Sequence, residues 1–234
     1  MQREKLHRGT VRQEALRLGF SACGIAKAAP VESGVADSYR QWIASGRHAD
    51  MHYLANNIEK RLDPTLLLPG AKSIIVVALN YTPARRLPDS EYQIAAYALG
   101  RDYHDLLKER LRQLLTFIKA NTTILSLPHG GDEGLLCVDT VPILERYWAQ
   151  QAGIGFIGRN HQLIIPRAGS MFFLGEIVTT LEADSYDQPM RCLCGNCHRC
   201  VDACPTGALL STTDNGESLL ENLLSTFDSR KCLS

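Results

Sequence analysis

Four cysteines towards the C-terminal end have the residue type and spacing needed to bind an iron–sulfur cluster. Cys194, Cys197, Cys200 and Cys204 follow the pattern C-x2-C-x2-C-x3-C, and Pro205 comes directly after the last of them. Three thiolates at this spacing can reach one face of a cubane [4Fe–4S] cluster from a single tight loop, and the fourth is placed to ligate a different cluster. The pattern therefore predicts two [4Fe–4S] clusters and a function that involves electron transfer.

The cysteine run resembles that of bacterial two-cluster ferredoxins, although the sequence contains no second copy of it. Only Cys232 follows, in the sequence Lys-Cys-Leu-Ser. Zinc is the alternative metal, but zinc ribbons place a longer spacer between two C-x2-C pairs, so the spacing favours a cluster. Cys192, just before the run, is interpreted as an incidental thiol. Cys23 and Cys137 lie in apolar segments, which predicts buried, inert side chains.

The bulk composition is that of a globular protein with a real core. The chain has 234 residues, of which 45% are hydrophobic, enough for one large domain or one domain with a small appendage. Lys+Arg and Asp+Glu are both 25, so charge gives no strong case for a nucleic-acid partner. Apolar runs are too short to cross a bilayer, and the N-terminus lacks an apolar signal region. We expect a cytoplasmic monomer without membrane contact, in which cysteines are metal ligands and not disulfides.

The hydrophobic pattern predicts the strands and helices that must position these residues. The clearest are a β-branched strand at residues 73–79 and a helix at 103–120, whose leucines recur at helical spacing. Strands are also expected at 22–26 and 135–138, and the second of these delivers Asp139 to a strand end. Further helices are expected at residues 3–18, 38–44 and 51–57 and from Pro142 to about residue 151.

The last third of the chain is predicted to change character. Residues 162–165 and 171–181 are predicted to be two strands, possible partners in a hairpin around residues 167–169. From residue 184 onward the composition shifts to Cys, Gly and Pro. We therefore divide the chain into domains at residues 1–183 and 184–234. Residues 211–230 are expected to form a polar loop that leads into a short amphipathic helix.

Six sequence blocks resemble, in order, the epoxyqueuosine reductases, which are cobalamin- and iron–sulfur-dependent enzymes of tRNA modification. They are LPG at 68–70, YALGRDYH at 97–104, VDTVPILER at 138–146, AGIGFIGRN at 152–160, GSMFFLGE at 169–176, and the cysteine run continuing into PTGAL at 205–209. The resemblance implies a nitroreductase-like α/β (α+β) fold, with a mixed central sheet and flanking helices that bind cobalamin. A partial ferredoxin-like [4Fe–4S] module would follow.

The resemblance also implies an activity. Epoxyqueuosine in tRNA would lose its epoxide oxygen in a two-electron reduction and become queuosine. Electrons from an external donor, such as a flavodoxin or ferredoxin system, would pass through the [4Fe–4S] clusters to cobalamin. An acid must protonate the departing oxygen, and the family's proton donor falls on Asp139. The alternative is that Asp139 only caps the following helix.

The cobalamin contacts that the resemblance implies are spread over the first domain. They are Asn56, Asp139, Arg159, Asn160, His161, Leu163, Ser170 and Leu174. Arg159 and His161 would donate to the amide or phosphate groups of the cofactor, unless they form a solvent-facing basic turn. At Asn56 the family often has Arg. His104 lies in a partial D-x-H-x-x-G cobalamin motif in which Leu107 replaces the glycine, so it is not expected to bind cobalt.

The sequence departs from the family at its C-terminal end. The family continues with a second cysteine run and a helical-repeat segment that binds tRNA. Cys194, Cys197 and Cys200 would ligate the first cluster here, and Cys204 and Cys232 the second. We prefer truncation to the alternative that Cys232 folds back to complete one cluster. Competing functions are a ferredoxin-like electron carrier, an incomplete cofactor-binding remnant, and a related cobalamin and iron–sulfur reductase of a small molecule.

Overall fold

The central feature of the structure is a four-stranded antiparallel sheet. A computed structural model of the protein describes residues 5–85, 87–88, 90–122, 134–210 and 227–233. The sheet has the order β1-β2-β6-β3, formed by β1 (Ala22–Lys27), β2 (Ser73–Asn80), β3 (Gly134–Cys137) and β6 (Phe172–Thr179). Two short strands, β4 (Phe156–Ile157) and β5 (Leu163–Ile164), pair in a second small sheet. Strand β2 is buried along seven of its eight residues, as its run of β-branched side chains predicts.

Helices cover both faces of the sheet. On one face, α1 (Arg8–Arg17) and α4 (Tyr103–Asn121) bury apolar side chains against Ile75, Val77 and Ile177. On the other, α2 (Ser33–Ala44), α3 (Ile58–Leu62) and α5 (Glu145–Gln151) pack against Ile74, Val76 and Val178. The two cores lie on opposite faces because successive residues of a strand point to opposite sides. The predicted α/β fold with flanking helices is confirmed.

The direction of the strands differs from the prediction. The sheet was expected to be mixed, but its four named strands pair antiparallel throughout. The parallel pairing that the described residues contain is the isolated bridge between Leu6 and Ala183. Hydrophobic periodicity reports which face a residue occupies and not the direction in which its strand runs. The pattern therefore predicted the layers correctly but not the pairing.

Two local predictions were also wrong. The hairpin expected between residues 162–165 and 171–181 does not form, because β5 pairs with β4 while β6 enters the main sheet between β2 and β3. The helix expected from Pro142 begins at Glu145. Other elements match within a few residues, although α1 starts at Arg8 and α2 already at Ser33. Most of the element expected at 211–230 lies outside the described residues.

Two contacts fix the end of α5 and the approach to the cysteine segment. A Cβ on Gly24 of β1 would lie 2.0 Å from the carbonyl oxygen of Ala152, so only glycine lets β1 and the end of α5 approach this closely. Asp187 accepts from the backbone N–H of Ile25 at 2.9 Å and from the guanidinium of Arg12 at 2.8 Å.

The division of the chain into two domains at residue 184 stays a prediction. None of the helices in the described ranges has the length and apolar character to span a membrane.

Candidate functional site

Asp139 lies in a strained turn at the end of β3. Its φ of 59° is in the left-handed region, which Asp tolerates better than most residues. The backbone N–H of Asp139 donates to Oε1 of Glu145 at 2.9 Å, and Thr140 N–H donates back to the carbonyl of Val138 at 2.6 Å. The carboxylate itself is 55% exposed. The turn therefore exposes the Asp139 carboxyl to solvent, while two hydrogen bonds hold its backbone in place.

The first turn of α4 supplies two partners for this carboxylate. The hydroxyl of Tyr103 donates to Oδ2 of Asp139, and Nε2 of His104 lies 3.4 Å from the same oxygen. Asp102 caps the helix by accepting from His104 N–H at 2.9 Å, and it also contacts Nδ1 of the imidazole at 2.8 Å. The Tyr103 ring stacks on Phe173 with centroids 4.2 Å apart. Partial burial and the bond to Asp139 raise the pKa of Tyr103, so its hydroxyl remains a donor.

Two further carboxyls lie behind the turn. Burial, with the nearby charge of Asp139, raises the pKa of Glu145 to about 7. Glu176 on β6 pairs with Cys137 of β3 and is fully buried, and neither of its carboxyl oxygens has a hydrogen-bond partner among the described residues. Burial raises the pKa of Glu176 well above its usual value, and Glu145 and Asp139 raise it further. The surroundings of Glu176 therefore favour the neutral form of its carboxyl.

Backbone hydrogen bonds within the cysteine loop, residues 194–204, define its conformation. Cys197 N–H donates to the carbonyl of Cys194 at 2.9 Å, and Gly195 between them has a φ of 49°. Cys200 lies in the short helix α6 (Arg199–Asp202), and all five predicted ligand cysteines are partly or fully exposed. Hydrogen bonds from backbone N–H groups, that of Leu209 foremost, lower the pKa of Cys204 to about 7. Burial raises the pKa of Cys200, so the thiolate is favoured at Cys204 and not along the whole loop. Accessible sulfurs at this spacing fit an iron–sulfur cluster.

No three His, Cys, Asp or Glu side chains in the described part of the chain are close enough together to bind a single metal ion. A cubane cluster holds its cysteines further apart than one ion does, so this finding is compatible with a cluster. The Cys232 segment is tied back to the residues after Cys204, because Asp228 N–H donates to the carbonyl of Ala208 at 3.0 Å. This hydrogen bond pairs the segment before Cys232 with the segment after Cys204.

The β4–β5 turn contacts the cysteine module. The guanidinium of Arg159, 5% exposed, donates to the carbonyl oxygens of Gly195 at 2.7 Å and Cys197 at 3.0 Å. The buried ring of His161 lies 5.0 Å from that of Phe227, and burial with the charge of Arg146 lowers its pKa to about 3. These two predicted cobalamin contacts thus lie against the C-terminal module.

The other predicted contacts are dispersed. Leu163 is a core residue, and Oδ1 of Asn160 accepts from Gln162 N–H at 3.1 Å within the turn. Ser170 and Leu174 are half-buried at the start of β6, and Asn56 is exposed at the end of a 3-10 turn. Extending the β3–β6 register by two residues places Leu174 opposite the Asp139 turn. A half-exposed apolar edge beside an accessible acid fits the face of a flat macrocycle such as cobalamin.

Comparison with known proteins identifies the family. The family described as "Epoxyqueuosine reductase QueG, DUF1730" matches residues 61–140. An epoxyqueuosine reductase of Cyclobacterium marinum is 39% identical over 231 residues, covering 97% of this chain and 68% of the relative. The chain belongs to the epoxyqueuosine reductase family. A reductase of Cellulophaga algicola is 38% identical over 210 residues, covering 90% of this chain and 66% of the relative.

Solved epoxyqueuosine reductases have the same fold. The Streptococcus thermophilus structure matches with a TM-score of 0.79 and 32% identity, covering 96% of this chain and 56% of that one. A structure with a tRNA-Tyr epoxyqueuosine-modified stem loop matches at 0.78 and 30%, covering 97% and 56%. The chain thus spans about two thirds of the length of these curated epoxyqueuosine reductases and 56% of the solved ones. A 4Fe-4S binding domain matches residues 193–210, which include the four cysteines of the run.

The sequence of this epoxyqueuosine reductase chain did not predict three residues of the site, Tyr103, Glu145 and Glu176. All three lie within the blocks that resemble the family, but no spacing links them to Asp139. One signal was available for Glu176, because a carboxyl within the apolar run FFLGEIVTT is unusual unless it has a role inside the protein. His104, which is not expected to bind cobalt, contacts the Asp139 carboxylate.

Proposed function

We propose that this chain carries the reductive chemistry of its family, the conversion of epoxyqueuosine to queuosine in tRNA. Relatives with that name match most of the chain, and one solved relative holds an epoxyqueuosine-modified tRNA stem loop. The observation that carries the proposal is the accessible carboxyl of Asp139, held by Glu145 behind it and by Tyr103 and His104 beside it. An accessible carboxyl in a fixed orientation supports a role as proton donor to a departing oxygen.

Asp139 is proposed to be the general acid. Removing an epoxide oxygen as water takes up two electrons and two protons, so a carboxyl at the reacting carbon–oxygen bond has a direct use. The left-handed turn keeps the carboxyl at the surface of the sheet end, and Tyr103 restricts its rotation. A relative from Bacillus subtilis, 28% identical, has the loop of its catalytic aspartate swung out of the active site, which supports a role for a mobile acid loop in this family.

Cobalamin, when bound, would supply the low-valent cobalt that delivers electrons to the substrate. The chain itself would hold cobalamin at the end of the sheet where the Asp139 turn lies. Leu174 and Ser170 are proposed to line one side of the cofactor, and Asn160 and Asn56 are proposed as further contacts. Leu163 supports this edge from the core, and Arg159 and His161 act through the turn that carries them.

The cysteines are proposed to bind the electron relay. Cys194, Cys197 and Cys200 would ligate one [4Fe–4S] cluster, and Cys204 and Cys232 would contribute to a second. A flavodoxin or ferredoxin system is the proposed external donor. We also propose a cytoplasmic, monomeric protein with tRNA as its partner.

The test is turnover by the chain after anaerobic reconstitution with iron, sulfide and cobalamin. The substrate is an epoxyqueuosine-modified stem loop, and nucleoside mass spectrometry measures queuosine. Asp139→Asn should bind cobalamin, as seen in the visible spectrum, and lose roughly 10²- to 10⁴-fold in rate. Asp105→Asn, an exposed position on α4, is the matched control and should keep full activity.

Three results would contradict the proposal. They are full activity of Asp139→Asn, no cobalamin binding by the unsubstituted chain, and turnover of a small epoxide in preference to the tRNA stem loop. Bound iron without bound cobalt would instead support an electron carrier.

A further inference from the structure

Arg159 occupies an uncommon place for a charged side chain. It is 5% exposed, and Nη1 donates to the carbonyl oxygens of Gly195 and Cys197, at 2.7 Å and 3.0 Å. Both carbonyls belong to the loop that supplies Cys194 and Cys197. A guanidinium is charged at every physiological pH. A permanent cation therefore lies beside the cluster ligands, shielded from water.

A buried cation costs free energy unless opposite charge compensates it. The two carbonyl dipoles supply part of this compensation. A [4Fe–4S] cluster with thiolate ligands supplies more, because each coordinated cysteine is deprotonated. The carbonyls and the deprotonated cysteines beside Arg159 would therefore stabilise its buried positive charge.

The backbone that carries Arg159 is rigid and belongs to the other part of the molecule. The β4–β5 turn is closed by a hydrogen bond from Gly158 N–H to the carbonyl of Gln162 at 3.0 Å. Its flanking strands contribute Phe156 and Leu163, which are 6% and 5% exposed. Arg159 is thus anchored in the catalytic domain while its charge acts in the cysteine loop.

We propose that Arg159 is a positioning residue for the cluster of Cys194, Cys197 and Cys200, and that its charge raises the reduction potential of that cluster. The inference rests on the cluster assignment within the proposed function. When a low-potential donor passes one electron to the cluster, the cluster gains one negative charge and no bond in the protein breaks. A neighbouring cation stabilises the reduced form more than the oxidised form, so reduction becomes easier.

The test is a potentiometric titration of the reconstituted chain, followed by EPR of the reduced cluster. Arg159→Gln keeps an amide donor for the loop carbonyls but removes the charge, and Arg159→Lys keeps the charge. We expect Arg159→Gln to lower the equilibrium constant for reduction roughly tenfold, which is about 59 mV for a one-electron couple. Arg159→Lys should titrate close to the unsubstituted chain. Arg167→Gln, an exposed arginine in the next turn, is the matched control and should not shift.

An unchanged midpoint in Arg159→Gln with its iron retained would overturn the proposal. So would an equal fall in Arg159→Lys, because a purely steric role would move both variants alike. Failure of the unsubstituted chain to assemble any cluster also overturns it. If the potentials shift as expected but no queuosine forms, the proposed function fails while the assignment of Arg159 stands.

Discussion

The acid site and the cysteine loop are assembled in opposite ways. The acid site draws Tyr103 from α4, Asp139 from the end of β3, Glu145 from α5 and Glu176 from β6. The cysteine loop supplies its main ligands between residues 194 and 204, from one local segment. A constellation made from distant elements depends on the core that holds those elements. A local constellation depends on its spacing and on the group it binds.

The two regions also differ in how deeply their functional side chains are buried. Glu176 is fully buried, and burial raises the pKa of its carboxyl. Cys197 is exposed, and backbone N–H groups favour the thiolate of Cys204. The acid site thus contains a carboxyl buried away from solvent, while the cysteine loop has its sulfurs at the surface. Arg159 connects them, because it extends from the β4–β5 turn into the cysteine loop.

Cys197→Ala should have the largest effect and separate the two regions. Removing one of three ligands from the loop should abolish the first cluster, because metal binding at such a site requires its full thiolate set. The unfolding transition of the sheet should stay in place, since Cys197 has no part in either core. Iron and sulfide analysis with thermal unfolding checks this. Cys23→Ala, in the core, is the control and should keep its iron; if both variants lose iron alike, the two regions are not independent.

Tyr103→Phe tests the acid site at its most direct contact. The substitution removes the hydroxyl that donates to Asp139 and keeps the ring that stacks on Phe173. The hydroxyl holds the Asp139 carboxyl in one orientation, so we expect its loss to lower turnover roughly tenfold. Single-turnover kinetics measure this, with Tyr97→Phe, an exposed tyrosine, as the control. An unaltered rate would mean that Asp139 does not need Tyr103.

The pH dependence of stability tests the buried carboxyl. The folded-state pKa of Glu176 is raised, so the folded chain binds more protons than the unfolded chain once pH exceeds the unfolded value. Its stabilising contribution is complete below about pH 4.3 and is lost as pH rises towards the folded pKa, at about 1.4 kcal/mol per pH unit. Glu176→Gln should remove this slope from urea unfolding as the pH rises above about 5.

His161 acts in the opposite direction, because its lowered pKa makes stability fall as pH drops below about 6.5. The difference between the unsubstituted chain and Glu176→Gln isolates the carboxyl from this second effect. Glu91→Gln, at an exposed position, is the control. Parallel pH profiles for the unsubstituted chain and Glu176→Gln would show that Glu176 is not held neutral.

Asp102→Ala should have the smallest effect. It removes the N-cap of α4 and the carboxylate that contacts His104, at a cost of about 1 kcal/mol in the free energy of unfolding. Urea unfolding measures the loss, and the iron content should not change. Asp105→Ala, in the same turn without the cap, is the control. Loss of iron in Asp102→Ala would show that the two regions are coupled through α4.

Much of the architecture could be predicted from periodicity. The run at β2 and the leucines of α4 gave elements whose bounds agree within a residue or two. The mixed sheet and the hairpin at 162–181 were wrong, because periodicity does not contain strand direction or the choice of partner. The expected contact of Arg159 with cobalamin stays a prediction. Its hydrogen bonds to the cysteine loop could not be predicted, since they depend on how the β4–β5 turn packs against that loop.

By itself the sequence determined the cysteine site, the layered fold class and the family, because each of these is written in local spacing or in ordered blocks. Only the tertiary structure decided which groups surround Asp139. Tyr103, Glu145 and Glu176 are far apart along the chain, and they meet because β3 pairs with β6 while α4 and α5 pack on opposite faces of the sheet. The proton affinities of the carboxyls follow from that packing, because burial and neighbouring charge set a pKa and no local pattern records either.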